Sequence, residues 1–449
     1  SHSFIHLSTT VLSLTMTYTE TIDYLFTRLP MFSRIGAAAY KKDLTNTIRL
    51  CEALGNPQHR FKSIHIAGTN GKGSVSHMMA ATFQTGGYKT GLYTSPHLKD
   101  FRERIKINGE MCSEEFVVRF TEKIQPLIEE IEPSFFEITV AMAFSWFAEQ
   151  EVDIAVIEVG LGGRLDSTNI IHPELSIITN IGMDHMNMLG NTLSAIAGEK
   201  AGIMKSGIPC VIGETVPETK SVFDQTAEKV HTALIYAAET KSIVNWTYEH
   251  HQLIVTMIDH TTQEQTQYQL DLPGIYQLKN IITVAEAASQ LASKGWNTGV
   301  HILQKALPQV KKLTGLHGRW EIIHEHPAVI LDVGHNEDGI KAINQQLTWV
   351  SYQHLHIIIG MVKDKDIDAV LNILPKNAHY HFTQAQIPRA LDALSLQQQA
   401  NRFGLKGDYY TDVNIALKQV LTIANPKDLI LICGSVFLVG EVILPISSN

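Results

Sequence analysis

Cysteine is scarce in this chain: four residues in 449, Cys51, Cys112, Cys210 and Cys433, with no CxxC pair among them. That speaks against a disulfide framework and a cysteine-ligated zinc site, and a reducing, cytoplasmic setting is expected. Basic charge is also short, since 36 Lys and Arg face 45 Asp and Glu for a net charge of −9. A protein that lives on nucleic-acid backbone needs a basic surface to release counterions, so no nucleic-acid partner is expected. No run of about 18 apolar residues occurs, so no membrane partner is expected either. Charged residues reach only 18% against 44% hydrophobic, without low-complexity tracts, which is the composition of a folded chain. Ser1 to Thr15 lacks the basic region that opens a signal peptide, and Met16 begins the first helical pattern; residues 1–15 are read as an extension ahead of the folded chain.

At roughly 150 residues per domain, this length predicts two or three domains. Strand-length apolar runs are expected at Ser63–Ala67, Thr90–Thr94, Asp153–Val159, Leu175–Ile181 and Ile208–Gly213, alternating with helices at Ser74–Thr85, Ser113–Ile131, Phe136–Glu149 and Ser194–Met204. Such alternation reads as a parallel sheet with helices on both faces. Residues 242–272 break the rhythm with Ser242–Tyr248, Gln252–Ile258 and Thr266–Leu270, which suit a small antiparallel excursion. Helical patterns at Ile275–Ser293 and Val300–Val310 follow, and then Lys311 to Gly318, whose glycines mark a linker. The alternation restarts with strands at Ala328–Val333, Leu355–Met361, Ala378–Thr383 and Leu429–Cys433. The expected division is a larger α/β domain over 16–312, a linker at 313–318 and a smaller α/β domain over 319–449.

The strongest chemical signal is Ser63-Ile-His-Ile-Ala-Gly68-Thr69-Asn70-Gly71-Lys72-Gly73-Ser74, a strand that runs into a glycine-rich turn and then a helix. Closely spaced glycines let successive backbone N–H groups converge on phosphate oxygens at a helix N-terminus, while a lysine neutralises charge. The strict P-loop template fails, because Ile66 stands where it needs its first Gly and Gly73 where it needs Ser or Thr. The plainer alternative is a glycine turn with an exposed lysine. Asp153 to Glu158 is an apolar strand that ends in a carboxylate, which beside a phosphate loop suits a magnesium ligand and alone suits a solvated strand end. The glycines from Gly160 to Gly163 fail the dinucleotide fingerprint, whose third glycine position is Leu165. Another strand discharges Gly182-Met-Asp184-His185 at its end; among 21 histidines, position at this edge is what singles out His185.

Gly68 to Ser74, Tyr93-Thr-Ser95-Pro-His-Leu98, Glu158-Val-Gly-Leu-Gly-Gly-Arg164-Leu-Asp166, Gly182 to His185 and Gly198-Glu199-Lys200 resemble, in order and spacing, the folylpolyglutamate synthase and dihydrofolate synthase family, the folate branch of the Mur-ligase superfamily. The likeness continues through Asn280, His317-Gly-Arg319-Trp320, Asp332-Val-Gly-His335-Asn336 and Gly434 to Glu441, covering about Thr19 to Val442. It implies a P-loop Mur-ligase-like parallel-sheet domain, then a smaller Rossmann-like α/β domain, closing around ATP. It also implies a reaction: a substrate carboxylate takes the γ-phosphate of ATP, and the amine of L-glutamate displaces phosphate to leave an amide. The substrates implied are dihydropteroate, reduced folates, or both.

By the same resemblance, Thr69, Asn70, Gly71, Lys72, Gly73 and Ser74, with Asn280, Arg319 and Asp332, hold ATP. Ser95, Glu158 and His185 are magnesium ligands, with two ions expected, and Lys200 is carbamylated, which turns a cation into a further carboxylate ligand. An unmodified Lys200 on a solvated face is the alternative. Lys72, His185, Lys200 and His335 are the catalytic set, although His335 also suits a capping or packing role. The pterin pocket is expected from Ser33, Arg34, Ile35 and Gly36, with Phe135, Phe136 and Glu137 and with Leu165, Asp166 and Ser167. Paired aromatics can sandwich a planar ring, and they are equally at home in a core. A monomer is implied.

Two other readings compete. A peptidoglycan-type Mur ligase normally carries a nucleotide-sugar domain of roughly 100 residues or more ahead of the loop, and Gly68 follows 67 residues. A nucleotide switch that reads guanine would carry an NKxD motif, and none occurs.

Overall fold

Segments with apolar β-branched residues on both faces, such as Ser63-Ile-His-Ile-Ala67, form strands buried on both sides of a sheet. The structure is a computed structural model that describes residues 15–443, leaving aside the side chains of Phe32 and Ser33. Apart from Thr15, the stretch read as an extension lies outside the described residues.

The first sheet contains β1 (Lys62–Ala67), β2 (Thr90–Tyr93), β3 (Ile105–Ile107), β4 (Glu110–Met111), β5 (Ile154–Glu158), β6 (Leu175–Ile178), β7 (Cys210–Ile212) and β8 (Leu234–Tyr236). Their order is β4-β3-β2-β5-β1-β6-β7-β8, parallel from β2 to β8, with β3 and β4 added antiparallel at one edge. This is the expected parallel sheet, extended at one edge by two antiparallel strands too short to show a hydrophobic period. β9 (Lys241–Glu249), β10 (Gln252–Asp259) and β11 (Gln265–Leu270) form the antiparallel excursion as a separate sheet.

A third sheet has the order β12-β13-β17-β14-β15-β16, from β12 (Glu321–Glu325), β13 (Ala328–Leu331), β14 (Leu355–Ile359), β15 (His379–Phe382), β16 (Gly407–Tyr409) and β17 (Leu429–Cys433). It is parallel except for β12 at its edge. Among the described residues, no helix is long and apolar enough to cross a membrane.

Apolar cores cover both faces of the first sheet. On one, the helices Lys72–Thr85 and Gln277–Ser293 pack Val75, Met79, Phe83, Val284 and Leu291 against Ile64 and Ile66. On the other, Glu114–Ile131 and Phe135–Glu149 pack against Ala155 and Ile157. The second of these helices is apolar on nearly all sides because it lies between the sheet and its neighbour. Ser134 and Glu137 close a capping box at its start, an arrangement worth about 1 kcal/mol that fixes where Phe135 and Phe136 stand.

The pattern expected as one helix over Val300–Val310 is divided into Val300–Ala306, a 3-10 turn Leu307–Gln309 and Val310–Thr314, because Pro308 offers no N–H and crowds the preceding turn. Residues 311–314, assigned by sequence to the linker region, complete that last helix. The non-helical stretch begins at Gly315, whose φ of 69° ends the helix.

Candidate active site

The parallel strands all deliver their chains to one edge, and the loops after β1, β2, β5 and β6 meet there. Gly68 and Gly71 have φ of 152° and 84°, backbone that a side chain rarely adopts. A methyl group at Gly71 would stand 2.5 Å from Asn280 Oδ1, and one at Gly73 would stand 3.1 Å from Arg319 Nη2. The turn therefore needs glycine both for its path and for the close approach of these two side chains. Thr69 Oγ1 accepts from Gly182 N at 2.9 Å, the Asn70 N–H donates to Asn180 Oδ1 at 2.8 Å, and Ser74 Oγ accepts from Gln277 Nε2 at 3.0 Å. Asn280 in turn donates to Gln277 Oε1 at 2.7 Å.

Lys72 opens the helix Lys72–Thr85 and donates back to Gly68 O at 2.8 Å. Lys200, from Leu193–Ala201, donates to the same carbonyl at 3.1 Å. Burial, reinforced by the nearby Lys72 charge, lowers the Lys200 ammonium to about 7. Burial likewise lowers Lys72, against the pull of Glu158 and Asp184. Glu158, at the end of β5, is raised to about 7 by burial, with Lys72 and Arg319 opposing. These groups sense one another's charge, and Glu158 also accepts from the Ser95 backbone.

Asp184 gathers the third sheet onto this edge. It receives Lys365 Nζ at 2.6 Å, His335 Nε2 at 3.3 Å and Asn336 Nδ2 at 3.3 Å. Burial raises its carboxyl, but these partners outweigh that and hold it well below the usual carboxylate range. His185 also meets Lys365, at 3.4 Å, and burial lowers its imidazole to about 3. Asn336 reaches across to Asn70 Oδ1 at 3.0 Å. Asp332 is buried and fully engaged: Tyr276 OH and Trp320 N donate to one oxygen, both at 3.0 Å, and Gly334 N to the other at 2.8 Å. Burial raises its carboxyl nonetheless.

A cavity of ≈ 250 Å³ opens beside this edge, lined from both the first and the third sheet. Ser95, His185, His335, Phe135, Phe136, Glu137, Leu165, Asp166 and Ser167, all singled out in the sequence, contribute to it. Phe135 is 2% exposed and lies edge-on to Phe26 at 5.3 Å, so it belongs to the core as well as to the wall. Phe136 presses on Gly160, where a side chain would collide with its ring. Asp166 Oδ2 holds the Gly160 and Leu161 N–H groups at 3.0 and 2.9 Å.

Arg34, Ile35 and Gly36 do not line the cavity. Arg34 turns back to the carbonyls of Phe26 and Thr27, tying off the helix Tyr18–Arg28, and Arg34 and Ile35 are exposed. The Ser33 side chain lies outside what is described. The chain on either side, Pro30 and Met31 before and Ala39 to Lys41 after, lines the cavity instead.

Residues 66–288 match the Mur ligase middle domain and residues 318–436 the Mur ligase glutamate ligase domain. The chain is 33% identical over 414 residues to the dihydrofolate synthase/folylpolyglutamate synthase of Bacillus subtilis, a match covering 90% of this chain and 94% of that one. The chain belongs to the dihydrofolate synthase/folylpolyglutamate synthase family. Its structure resembles that of Mycobacterium tuberculosis folylpolyglutamate synthase complexed with ADP, with a TM-score of 0.84 and 30% identity over 94% of this chain and 96% of that one. It also resembles E. coli FolC in complex with DHPP and ADP, with a TM-score of 0.79 and 26% identity over 95% and 96% of the two chains.

In this member of the dihydrofolate synthase/folylpolyglutamate synthase family, sequence reasoning missed Lys365 and Arg389. Both line the cavity, and Arg389 pairs with Asp364 at 2.5 Å. Lys365 follows the end of β14 by six residues, in Lys363-Asp-Lys365-Asp366. The rule that selected Glu158, polar groups just past a buried parallel strand, would have found it.

Proposed function

We propose that this protein is an ATP-dependent ligase that joins L-glutamate to dihydropteroate, to the γ-carboxylate of reduced folates, or to both, through an acyl phosphate. The observation that carries this reading is one edge shared by a glycine turn with a half-buried lysine and an aromatic-walled cavity rimmed by cations. A substrate carboxylate oxygen attacks the γ-phosphorus of ATP; the new P–O bond forms as the bond to ADP breaks. The glutamate nitrogen then attacks the acyl carbon, loses its proton, and phosphate leaves. Carboxylates and amines do not condense at neutral pH, so activation is the purpose of the first step, and positioning with charge stabilisation supplies most of the catalysis.

The glycine turn fits a triphosphate: its positive-φ residues and the start of the helix Lys72–Thr85 present backbone N–H groups, with Lys72 beside them. In this reading Thr69 to Ser74 hold the phosphates, while Asn280, Arg319 and Asp332 complete the nucleotide site. Asp332, saturated by three donors, orients the Trp320 and Gly334 backbone.

Glu158, Ser95 and His185 fit a divalent cation by their chemistry. Glu158 is a buried carboxylate without an ion pair among the described residues, and Ser95 lies against it. No three His, Cys, Asp or Glu side chains of the described residues form a ready cage. Magnesium rarely has one, taking one or two protein ligands with phosphate oxygens and water. When bound, such ions, two in this reading, neutralise phosphate and acyl oxygens. Lys200, with an ammonium lowered to about 7, has the neutral-amine population that carbamylation by dissolved CO2 requires. His185 and His335 line the cavity that the glutamate amine enters.

The division into domains at 16–312 and 319–449 belongs to this reading. Closure between them keeps water from the acyl phosphate, and contacts such as Lys365 to Asp184 support it. A monomer in the cytoplasm is the simplest setting, and four free, buried cysteines suit it. Incubation with ATP, magnesium and labelled glutamate, against dihydropteroate and tetrahydrofolate separately, tests the assignment. Incorporation with at least one is expected, and none with either refutes it. Carbamylation predicts a ¹³C signal on Lys200 in ¹³CO2-equilibrated protein that Lys200→Met lacks.

A further inference from the structure

A buried cation on the catalytic edge has no acid of its own. Arg104 ends the 3-10 turn Phe101–Arg104, and its carbonyl accepts from Thr94 N at 3.1 Å, which ties it to the chain one residue before Ser95. It is 8% exposed and lines the cavity beside Ser95, Phe135 and Phe136. Lys365 and Arg389, on the same wall, each have a carboxylate partner, Asp184 and Asp364. Arg104 has none among the described residues. The two acids whose charge reaches it are Glu103 and Glu158, and Glu103 is taken up by the Leu98, Lys99 and Asp100 N–H groups at 2.8, 2.9 and 2.8 Å.

The groups that do hold the guanidinium are neutral. Nε donates to His97 Nδ1 at 2.8 Å, and the guanidinium lies over the Phe135 ring at 5.3 Å. Burial, with the Arg104 charge adding to it, lowers the His97 imidazole to about 3, and burial raises the Tyr93 phenol beside Arg104 well above its usual range. An acid in the place of His97 would compete with a ligand for this cation; an imidazole lone pair fixes the fork and leaves its charge unspent. Neither Nη group is sealed from solvent, whereas the Tyr93 hydroxyl is, so the fork opens onto the cavity that the side chain lines.

We infer that Arg104 receives the reacting carboxylate of the acceptor substrate, by paired N–H···O bonds from Nη1 and Nη2, and that His97 is the residue that positions it. The inference rests on the ligase reading. An acceptor that lays its ring on the Phe135 and Phe136 wall and points its acid toward the phosphate turn brings that acid to Arg104. One carboxylate oxygen attacks the γ-phosphorus; the other becomes the acyl carbonyl oxygen and keeps its bond from Arg104. That oxygen gathers negative charge when the glutamate amine adds, so one contact serves both steps.

Calorimetry of the full chain with dihydropteroate and with its carboxamide tests this, alongside labelled-glutamate incorporation. The wild-type chain should favour the carboxylate by roughly 10–100-fold, the scale of hydrogen bonds to a charged group. Arg104→Gln should abolish that preference and lower kcat/KM for the acceptor by at least as much, with the KM values for ATP and L-glutamate unchanged. Arg104→Lys, which keeps the charge and loses the fork, should restore part of the preference. Two variants of His97 serve should Arg104→Gln fold poorly: His97→Asn leaves a neutral acceptor and should keep the preference, while His97→Asp supplies a counterion and should erase most of it. A packing role for Arg104 would not separate carboxylate from carboxamide. The inference is overturned if Arg104→Gln or His97→Asp favours the carboxylate as strongly as wild type does, or if Arg104→Gln raises the KM for L-glutamate instead of that for the acceptor. Incorporation by the wild-type chain tells these outcomes from failure of the ligase reading; no incorporation with either acceptor overturns both.

Discussion

The first and third sheets both carry their working side chains on loops after parallel strands, yet they hold charge in opposite ways. Lys200 and Glu158, from the first, are buried and Lys72 is half-buried, all without an ion pair among the described residues, and the two lysines lean on one backbone carbonyl. Lys365, from the third, is as buried but tightly paired with Asp184, which His335 and Asn336 also hold. Unpaired buried charge costs stability and is retained where a ligand of opposite sign completes it. The first sheet thus holds unmet charge of both signs, Lys72 for a polyanion and Glu158 for a cation, while the third brings a charge that docks one region on the other.

That contrast is most sharply broken at Lys72. Lys72→Met should lower glutamate ligation by about 10²–10³-fold, the scale of losing one charge stabiliser, while thermal stability holds or rises because an unpaired, half-buried cation is gone. A parallel reading of labelled-glutamate incorporation and melting temperature checks both halves; a large drop in melting temperature would contradict the picture of unmet charge.

Asp184→Asn should do the reverse to stability. It leaves Lys365, whose side chain is 8% exposed, without a counter-charge, at a cost of about 3–5 kcal/mol. Adding Lys365→Met should recover much of that loss in urea unfolding. Recovery absent from the double variant would mean that the pair is not what joins the regions.

Acid separates the two sheets again, at the opposite ends of their strands. His354 and His356, with His379 and His381, put four imidazoles at the starts of β14 and β15; His356 meets His381 at 3.4 Å and stacks on His379 at 5.3 Å. One carboxylate, Asp428, contacts His354 and His356, and Asp408 is the other acid near His381. Burial lowers His381 to about 4 and also lowers His356. The unfolded chain therefore takes up these protons first, so stability present above about pH 6.5 is lost as the pH falls toward 4. The loss should be of order 2 kcal/mol, read as melting temperature against pH, and His381→Gln should flatten the curve. An unchanged slope would place the acid sensitivity in the first sheet, where His65 and His97 are also lowered to about 3.

The same contrast decides what was legible in the sequence. The alternation of strands and helices and the three-strand excursion could be read from hydrophobic period alone. Short edge strands such as β3, β4 and β16 could not, since two or three residues carry no period. At the candidate site, Gly68 to Ser74 was visible because one contiguous turn must satisfy a backbone geometry. Lys365 could have been picked out by its place past β14, but neither its pairing with Asp184 nor the place of Arg389 in the cavity wall could be, because only folding makes these distant parts of the chain neighbours. Arg34 shows the converse: the resemblance put it in the pterin pocket, whereas its side chain bonds the end of the helix Tyr18–Arg28.

The smallest effect concerns a place where, among the described residues, the excursion touches the third-sheet region through aromatic rings. Trp246 of β9 meets Trp349 edge to face at 4.7 Å, although Trp349 is 59% exposed. A nearly exposed tryptophan has little to gain from burial, so the contact itself, about 0.5–1.5 kcal/mol, is most of what holds it. Trp349→Ala should therefore reduce stability by about 1 kcal/mol and leave ligation at saturating substrate unaltered. If Trp349→Ala changed ligation as strongly as it changed stability, the docking of the two regions would depend on this exposed contact rather than on the buried charge at Asp184.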